Sequence, residues 1–220
     1  MAGNHHCVFV AGGTGYVGRP LIEQLLAGGH QVRALERKGS EGKLSTGCDV
    51  ILGSALESDS YAAGIAPSDT FVQLVGVSHP NPSKAAQFRN VDLVAGQGAV
   101  SAATRAGVAH FVYVSVAQPA PVMKAYLQVR AECEQLIHKS GMTATILRPW
   151  YVLGPGHRWP YCLLPIYKLM ELLPNTREGA RRLGLVTREQ MVHAIMHAVE
   201  NPAQGVRIVE VPEIRTARGI

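Results

Sequence analysis

"VFVAGGTGYVGRPLIEQLL", residues 8–26, decides the fold. An apolar strand runs into a turn carrying Gly12, Gly15 and Gly18, and a helix follows with Val17, Leu21 and Leu25 spaced four apart on one face. Glycine serves three needs in such a turn: the tight bend, close approach of backbone to a pyrophosphate, and packing of helix on strand. The free N–H groups that open the helix then face the anion. Glycine-rich turns also close strands for purely structural reasons, so the triplet alone says little. With a strand before it and an amphipathic helix after it, the stretch reads as a dinucleotide-binding turn.

Outward from the turn, short apolar strands alternate with helical stretches. The strands are "CVFVA" (7–11), "QVRALE" (31–36), "DVIL" (49–52), "TFVQLV" (70–75), "HFVYVSV" (110–116) and "TATIL" (143–147). Helices are expected from Tyr16, over about 84–106, over about 122–139 and over about 187–200, with a last strand at 206–211. Uninterrupted apolar strands separated by helices indicate a parallel sheet covered on both faces. The expected fold is a single α/β domain over 1–220, a Rossmann-type doubly wound parallel sheet. Within it, 150–185 is proline-rich and aperiodic and reads as a substrate lid.

Composition narrows the function. The 220 residues suffice for one sizeable core, and 47% hydrophobic with 17% charged residues fits a globular protein. No stretch has the length and apolarity of a membrane span, and "MAGNHH" lacks an apolar signal region. Cys7, Cys48, Cys133 and Cys162 have no paired spacing and read as reduced thiols in a cytoplasmic protein. A net charge of +5 without a long basic stripe, and only 6% aromatics, argue against nucleic acid and for small anions such as nucleotide phosphates.

The second strand ends "ALERK" (34–38), about 20 residues past the turn, where the adenosine ribose is read. Glu36 would accept from the ribose hydroxyls and favour NAD. Arg37 and Lys38 could pair with a 2′-phosphate and favour NADP. Two cations tilt the balance slightly to NADP.

The chain resembles the short-chain dehydrogenase/reductase superfamily in its extended and atypical branches, the NmrA-like NAD(P)H-binding proteins in particular. The resemblance rests on "GGTGYVG" (12–18), "VQLVG" (72–76), "NVD" (90–92), "AGVAHFVYVS" (106–115), Tyr126 with its helix, and "TILRPWYVLGPG" (145–156). It implies a nucleotide held by Gly12, Thr14, Gly15, Tyr16, Val17 and Gly18. Ser54 and Ala55 would lie beside the adenine, Leu74, Val75 and Gly76 would flank the ribose, and Pro149 would pack near the nicotinamide. In such proteins a tyrosine protonates the substrate carbonyl, a lysine four residues on holds the nicotinamide ribose, and a serine on the preceding strand orients the carbonyl. Tyr126 matches the tyrosine, Arg130 takes the lysine's place, and Ser115 or Val116 falls at the serine.

Arginine keeps the charge but cannot enter a proton relay. The resemblance therefore implies either an oxidoreductase with an altered catalytic group or a nucleotide-binding regulator or assembly partner without turnover. A structural reading also stands, with Tyr126 buried and Arg130 at the surface paired to Glu134. The expected partner is a small molecule beside the nicotinamide, with a homodimer left open. No metal is expected: His193 and His197 share a helix face but lack further ligands. His157, Trp159 and Tyr161 are candidate substrate contacts, and 161–174 reads as a packed amphipathic helix.

Overall fold

The computed structural model describes residues 5–155 and 177–217. Strands β1 (Cys7–Ala11), β2 (Gln31–Glu36), β3 (Asp49–Leu52), β4 (Thr70–Gln73), β5 (His110–Val114) and β6 (Ala144–Arg148) belong to one sheet. β7 (Tyr151–Leu153) and β8 (Leu185–Thr187) pair separately, and β9 (Val206–Glu210) returns to the main sheet beside β6. The seven-stranded order is β3-β2-β1-β4-β5-β6-β9, with every pairing parallel. This is the expected Rossmann-type doubly wound sheet.

The side-chain period of two in β1 explains why both faces are covered. Val8 and Val10 join the core formed with α1 (Gly18–Ala27) and α6 (Arg188–Glu200). Phe9 and Ala11 enter the opposite core, against α3 (Val94–Arg105) and α4 (Lys124–Ser140). There Phe9, Phe71 and Phe111 occupy matching registers on β1, β4 and β5, with ring centroids 4.9 and 5.3 Å apart. Burying each such side chain stabilises the fold by about 1.5–3 kcal/mol. The small residues of α3 let it lie close to α4: a Cβ added at Gly96 would come 2.5 Å from Cys133 Sγ.

Several elements differ from expectation. α1 begins at Gly18 rather than Tyr16, because the glycine turn consumes two more residues. The expected 84–106 helix is composite: a short α2 (Ala85–Gln87), a π-helical stretch over Phe88–Leu93, and then α3. Within the expected lid segment, α5 (Arg177–Arg182), and near the end of the chain, α7 (Val211–Thr216), are additional helices. Met191 is buried in the core beneath α6, and Met196 packs against it partly buried. Cys7, Cys48 and Cys133 are free thiols. Most of the expected lid, including His157, Trp159, Tyr161, Cys162 and the 161–174 helix, lies outside the described residues.

Candidate functional site

β1 feeds directly into the turn. Gly12 has φ +92°, and a Cβ there would stand 3.0 Å from the backbone of Leu74 and Val75, so only glycine lets the end of β4 pack this closely. Gly15 N–H donates to the Gly12 carbonyl at 3.0 Å, closing the bend. Gly18 is the helix-on-strand contact: its Cβ would strike the Gly12 carbonyl oxygen and lie 2.7 Å from Gly13 Cα. At the N-terminus of α1, Val17 offers no side-chain cap and the first turn has no acidic residue. That positive end is open to an anion.

A groove of about 420 Å³ opens from this turn across the carboxyl ends of the strands. Thr14 and Gly15 stand at its centre, Arg37, Ser54 and Ala55 on the β2–β3 side, and Leu74, Val75 and Gly76 on the β4 side. This is the topological switch point, where β1 is flanked by β2 and β4 and the chain departs in opposite directions. Leu35, Gly53, Leu56 and Val91 also line the groove and were not anticipated. The alternation of β2 marks Leu35 once Arg37 is placed, and Leu56, 45% exposed, is an apolar side chain left uncovered at the rim. A larger cavity of about 520 Å³ lies over β9, α6 and α7. It has neither a glycine turn nor a strand-end crevice.

β2 separates the two expected cofactor readers. Leu35 and Arg37 face the groove, while Glu36 between them is 2% exposed and turned away. Its Oε1 accepts from Lys43 N–H at 3.3 Å. The Glu36 carboxylate therefore holds the following loop and does not line the groove. Arg37 donates through Nε to Ser40 Oγ at 3.2 Å, and among the described residues its terminal nitrogens are left for a ligand. Lys38 is exposed and outside the lining.

The expected catalytic group is assembled differently from expectation. Tyr126 is half-buried, its ring 4.9 Å from that of Phe88 and 5.0 Å from Arg130 Cζ. Arg130 is 6% exposed, not at the surface. Its Nη2 donates to Asp92 Oδ1 at 2.6 Å, and its Nη1 donates to Tyr113 Oη at 3.1 Å and to the Val114 carbonyl at 2.9 Å. Burial pushes the Tyr113 phenol well above its ordinary range despite the nearby guanidinium, so Tyr113 is a neutral acceptor. Asp92 is likewise raised by burial, with Arg130 opposing.

Arg130 does not pair with Glu134 although they stand one helical turn apart. Each finds a better partner elsewhere, Arg130 in Asp92 of the π-helical stretch and Glu134 in Arg148 of β6. Glu134 takes Arg148 through two hydrogen bonds, Nε to Oε1 at 3.1 Å and Nη2 to Oε2 at 2.5 Å. The same carboxylate accepts from Ser115 Oγ at 2.5 Å and Gln118 Nε2 at 2.9 Å. Ser115, 3% exposed, thus spends its hydroxyl on Glu134, and Val116, also 3% exposed, is core. Pro149 is buried, and its carbonyl accepts from Ala117 N–H at 2.9 Å. None of Tyr126, Arg130, Ser115 or Pro149 lines the 420 Å³ groove. Tyr16 lies beside it, its hydroxyl where a Gly154 Cβ would go and its ring 5.1 Å from Arg188 Cζ.

Among the described residues, no three His, Cys, Asp or Glu side chains gather as a metal ion requires. Among the same residues, no helix is long and apolar enough to cross a membrane.

A family model described as NAD(P)H-binding matches residues 12–165. Over 168 residues the chain is 26% identical to a 4-hydroxy-2-methyl-3-oxo-4-farnesyl-3,4-dihydroquinoline-1-oxide ketoreductase of Stigmatella aurantiaca, covering 66% of this chain and 50% of that protein. The chain therefore spans about half the length of that relative. It is also 26% identical over 225 residues to a 3-diazoavenalumate denitrifying reductase of a Streptomyces species, covering 90% of this chain and 73% of the other. In three dimensions it is similar to a short-chain dehydrogenase/reductase superfamily protein of Agrobacterium tumefaciens with bound NAD. The TM-score is 0.68 at 18% identity, covering 93% of this chain and 77% of that one, a likeness of fold.

Proposed function

We propose, for a chain that belongs to the NAD(P)H-binding family within the short-chain dehydrogenase/reductase superfamily, that it binds NADP(H) and serves as an oxidoreductase for a carbonyl-type small molecule, with Tyr126 as the proton donor. The observation that carries this reading is the strand-end groove, with the glycine turn that leads into an uncapped helix at its centre and Arg37 in its wall. Glu36, which would repel a 2′-phosphate, is occupied by the Lys43 amide instead. The two relatives carry the names of a ketoreductase and a reductase, which supports hydride chemistry on small molecules.

When bound, the dinucleotide supplies or accepts the hydride. The glycine turn lets backbone approach the diphosphate, the N-terminus of α1 offsets its charge, and Arg37 pairs with the 2′-phosphate. Tyr126 holds the proton for the substrate oxygen. The free thiols among the described residues fit a reducing cytoplasm, and a small molecule, rather than nucleic acid, is the partner this groove suits.

One observation favours a second reading. The terminal nitrogens of Arg130 and the Ser115 hydroxyl are engaged by protein partners, as in a protein that binds nucleotide and turns nothing over. The test is consumption of NADPH against a panel of aldehydes and ketones. A slow, substrate-dependent rate is expected, and Tyr126→Phe should lower it about a hundredfold while sparing NADPH affinity, since only the acid is lost. Tight NADPH binding with no consumption by any panel member would leave the second reading standing.

Cofactor choice is tested separately. Arg37→Ala should weaken NADPH by about 2 kcal/mol, the size of a hydrogen bond to a charged group, and scarcely change NADH. Equal loss for both cofactors in calorimetry would mean that Arg37 does not meet the 2′-phosphate.

A further inference from the structure

The geometry points to Asp92 as a positioning residue for the dinucleotide: with Arg130 it forms a buried clamp that fixes the Gly76–Val77 wall of the groove. The inference rests on the proposed NADP(H) binding and extends it to a residue that touches no ligand.

The Asp92 side chain is 0% exposed, so it cannot reach a nucleotide itself. Its two oxygens face two different elements. Oδ2 accepts from Val77 N–H at 3.1 Å, which pins the chain just past β4, and Oδ1 accepts from Arg130 Nη2 at 2.6 Å, which ties it to α4. The pair fills the space directly behind Gly76. A Cβ built on Gly76 would strike Arg130 Nη2 and come 2.9 Å from Asp92 Oδ1. Gly76 shows its other side to the groove, as does Val91, the neighbour of Asp92. The π-helical turn over Phe88–Leu93 brings Val91 to the groove while Asp92 reaches the strand end; such turns recur at functional sites.

Arg130 explains the departure from lysine at this position. A guanidinium fork can satisfy Asp92, Tyr113 and the Val114 carbonyl at once, as Arg130 does here. A lysine ammonium carries its three donors on one nitrogen, whereas Arg130 meets the three acceptors from two. The cation therefore acts behind the groove wall, through Gly76.

The clamp should influence one half of the ligand. In the order β3-β2-β1-β4-β5, the turn after β1 is central, Arg37, Ser54 and Ala55 stand on the β2–β3 side, and Gly76 stands on the β4–β5 side. A diphosphate on the turn places the adenosine 2′-phosphate half over β2–β3 and the nicotinamide half over Gly76.

The experiment measures affinity of the full chain for NADPH and for 2′,5′-ADP, which lacks the nicotinamide half. The proteins are wild type, Asp92→Asn, Arg130→Met and the double variant. Each single variant should weaken NADPH at least tenfold and change 2′,5′-ADP less than twofold. The double variant should be no weaker than the worse single one, because both act through one clamp. Gly76→Ala, which removes no charge and displaces Arg130 Nη2, keeps the test open if the charge variants fail to fold, and it should give the same split. Equal loss of both ligands means a general structural role, and unchanged NADPH affinity means no role; either overturns the inference. Failure of wild type to bind either ligand overturns the parent reading instead.

Discussion

Gly15→Val is expected to abolish dinucleotide binding while the fold stands. The three glycines of the turn differ in what a side chain would meet. At Gly18 a Cβ would run into the backbone of Gly12 and Gly13, so substitution there attacks the packing of α1 on β1. At Gly12 the backbone sits at φ +92° against the end of β4, which costs strain with any other residue. At Gly15 the backbone is not left-handed, and among the described residues the only neighbour of an added Cβ is the Gly12 carbonyl oxygen at 3.0 Å. A few tenths of an ångström of relaxation accommodate it. The valine branches would then stand in the groove that Gly15 lines, at the place a diphosphate must approach. Calorimetry should show NADPH binding to wild type and none to the variant, with circular dichroism and melting temperature close to wild type. Gly18→Val serves as the contrast and should not fold. Retention of NADPH affinity within tenfold in Gly15→Val would remove the phosphates from this turn, and with them the central functional claim.

The parts of the fold that local sequence controls were the legible ones. A glycine turn between strand and helix, and apolar strands without polar alternation, are readable because each is settled within about twenty residues by backbone geometry and burial. Most strands fall within a residue or two of their expected ends. Ser54, Ala55 and Leu74 to Gly76, which the resemblance implied, do line the groove, and they follow the ends of β3 and β4 closely.

What was not legible depends on partners far apart in the chain. Arg130 and Glu134, one turn apart, look like a natural pair on a helical wheel. Burial between a sheet and a π-helical turn instead gives Arg130 to Asp92, 38 positions away, and Glu134 to Arg148, 14 positions away. The same burial draws the Ser115 hydroxyl onto Glu134. Glu36 and Arg37 could have been separated by the two-residue period of β2 alone. The Lys43 amide that holds Glu36 lies in a loop without a pattern to read.

Acid should destabilise this protein through His110 in particular. The residue lies on β5 at the amino ends of the strands, far from the groove, and is 1% exposed. Its Nε2 meets Thr145 Oγ1 at 3.0 Å, while Nδ1 is buried without a hydrogen-bond partner among the described residues. A charged imidazole would have to bury an unsatisfied N–H and an uncompensated charge. Burial, then the charge of Arg207, push its pKa down to about 4 from an ordinary 6.5, with Asp69 opposing. The sign follows from linkage. Above pH 6.5 the residue is neutral in both states and contributes no pH dependence. As pH falls from 6.5 to 4, the unfolded chain takes up a proton that the fold refuses, so stability drops. Below about 4 both states are charged and the loss levels off. The total is about 3 kcal/mol, more than a hundredfold in the folding equilibrium. His30 is also lowered by burial and adds to the slope in the same direction, so a variant is needed to isolate His110. His110→Gln keeps a side-chain amide able to meet Thr145 and cannot titrate. Urea unfolding at pH 7.5 and pH 4.5 should show wild type losing over 2 kcal/mol more than the variant across that interval. Parallel losses in the two proteins would mean that His110 is charged in the fold, with Asp69 or a bound water supplying what the buried Nδ1 lacks.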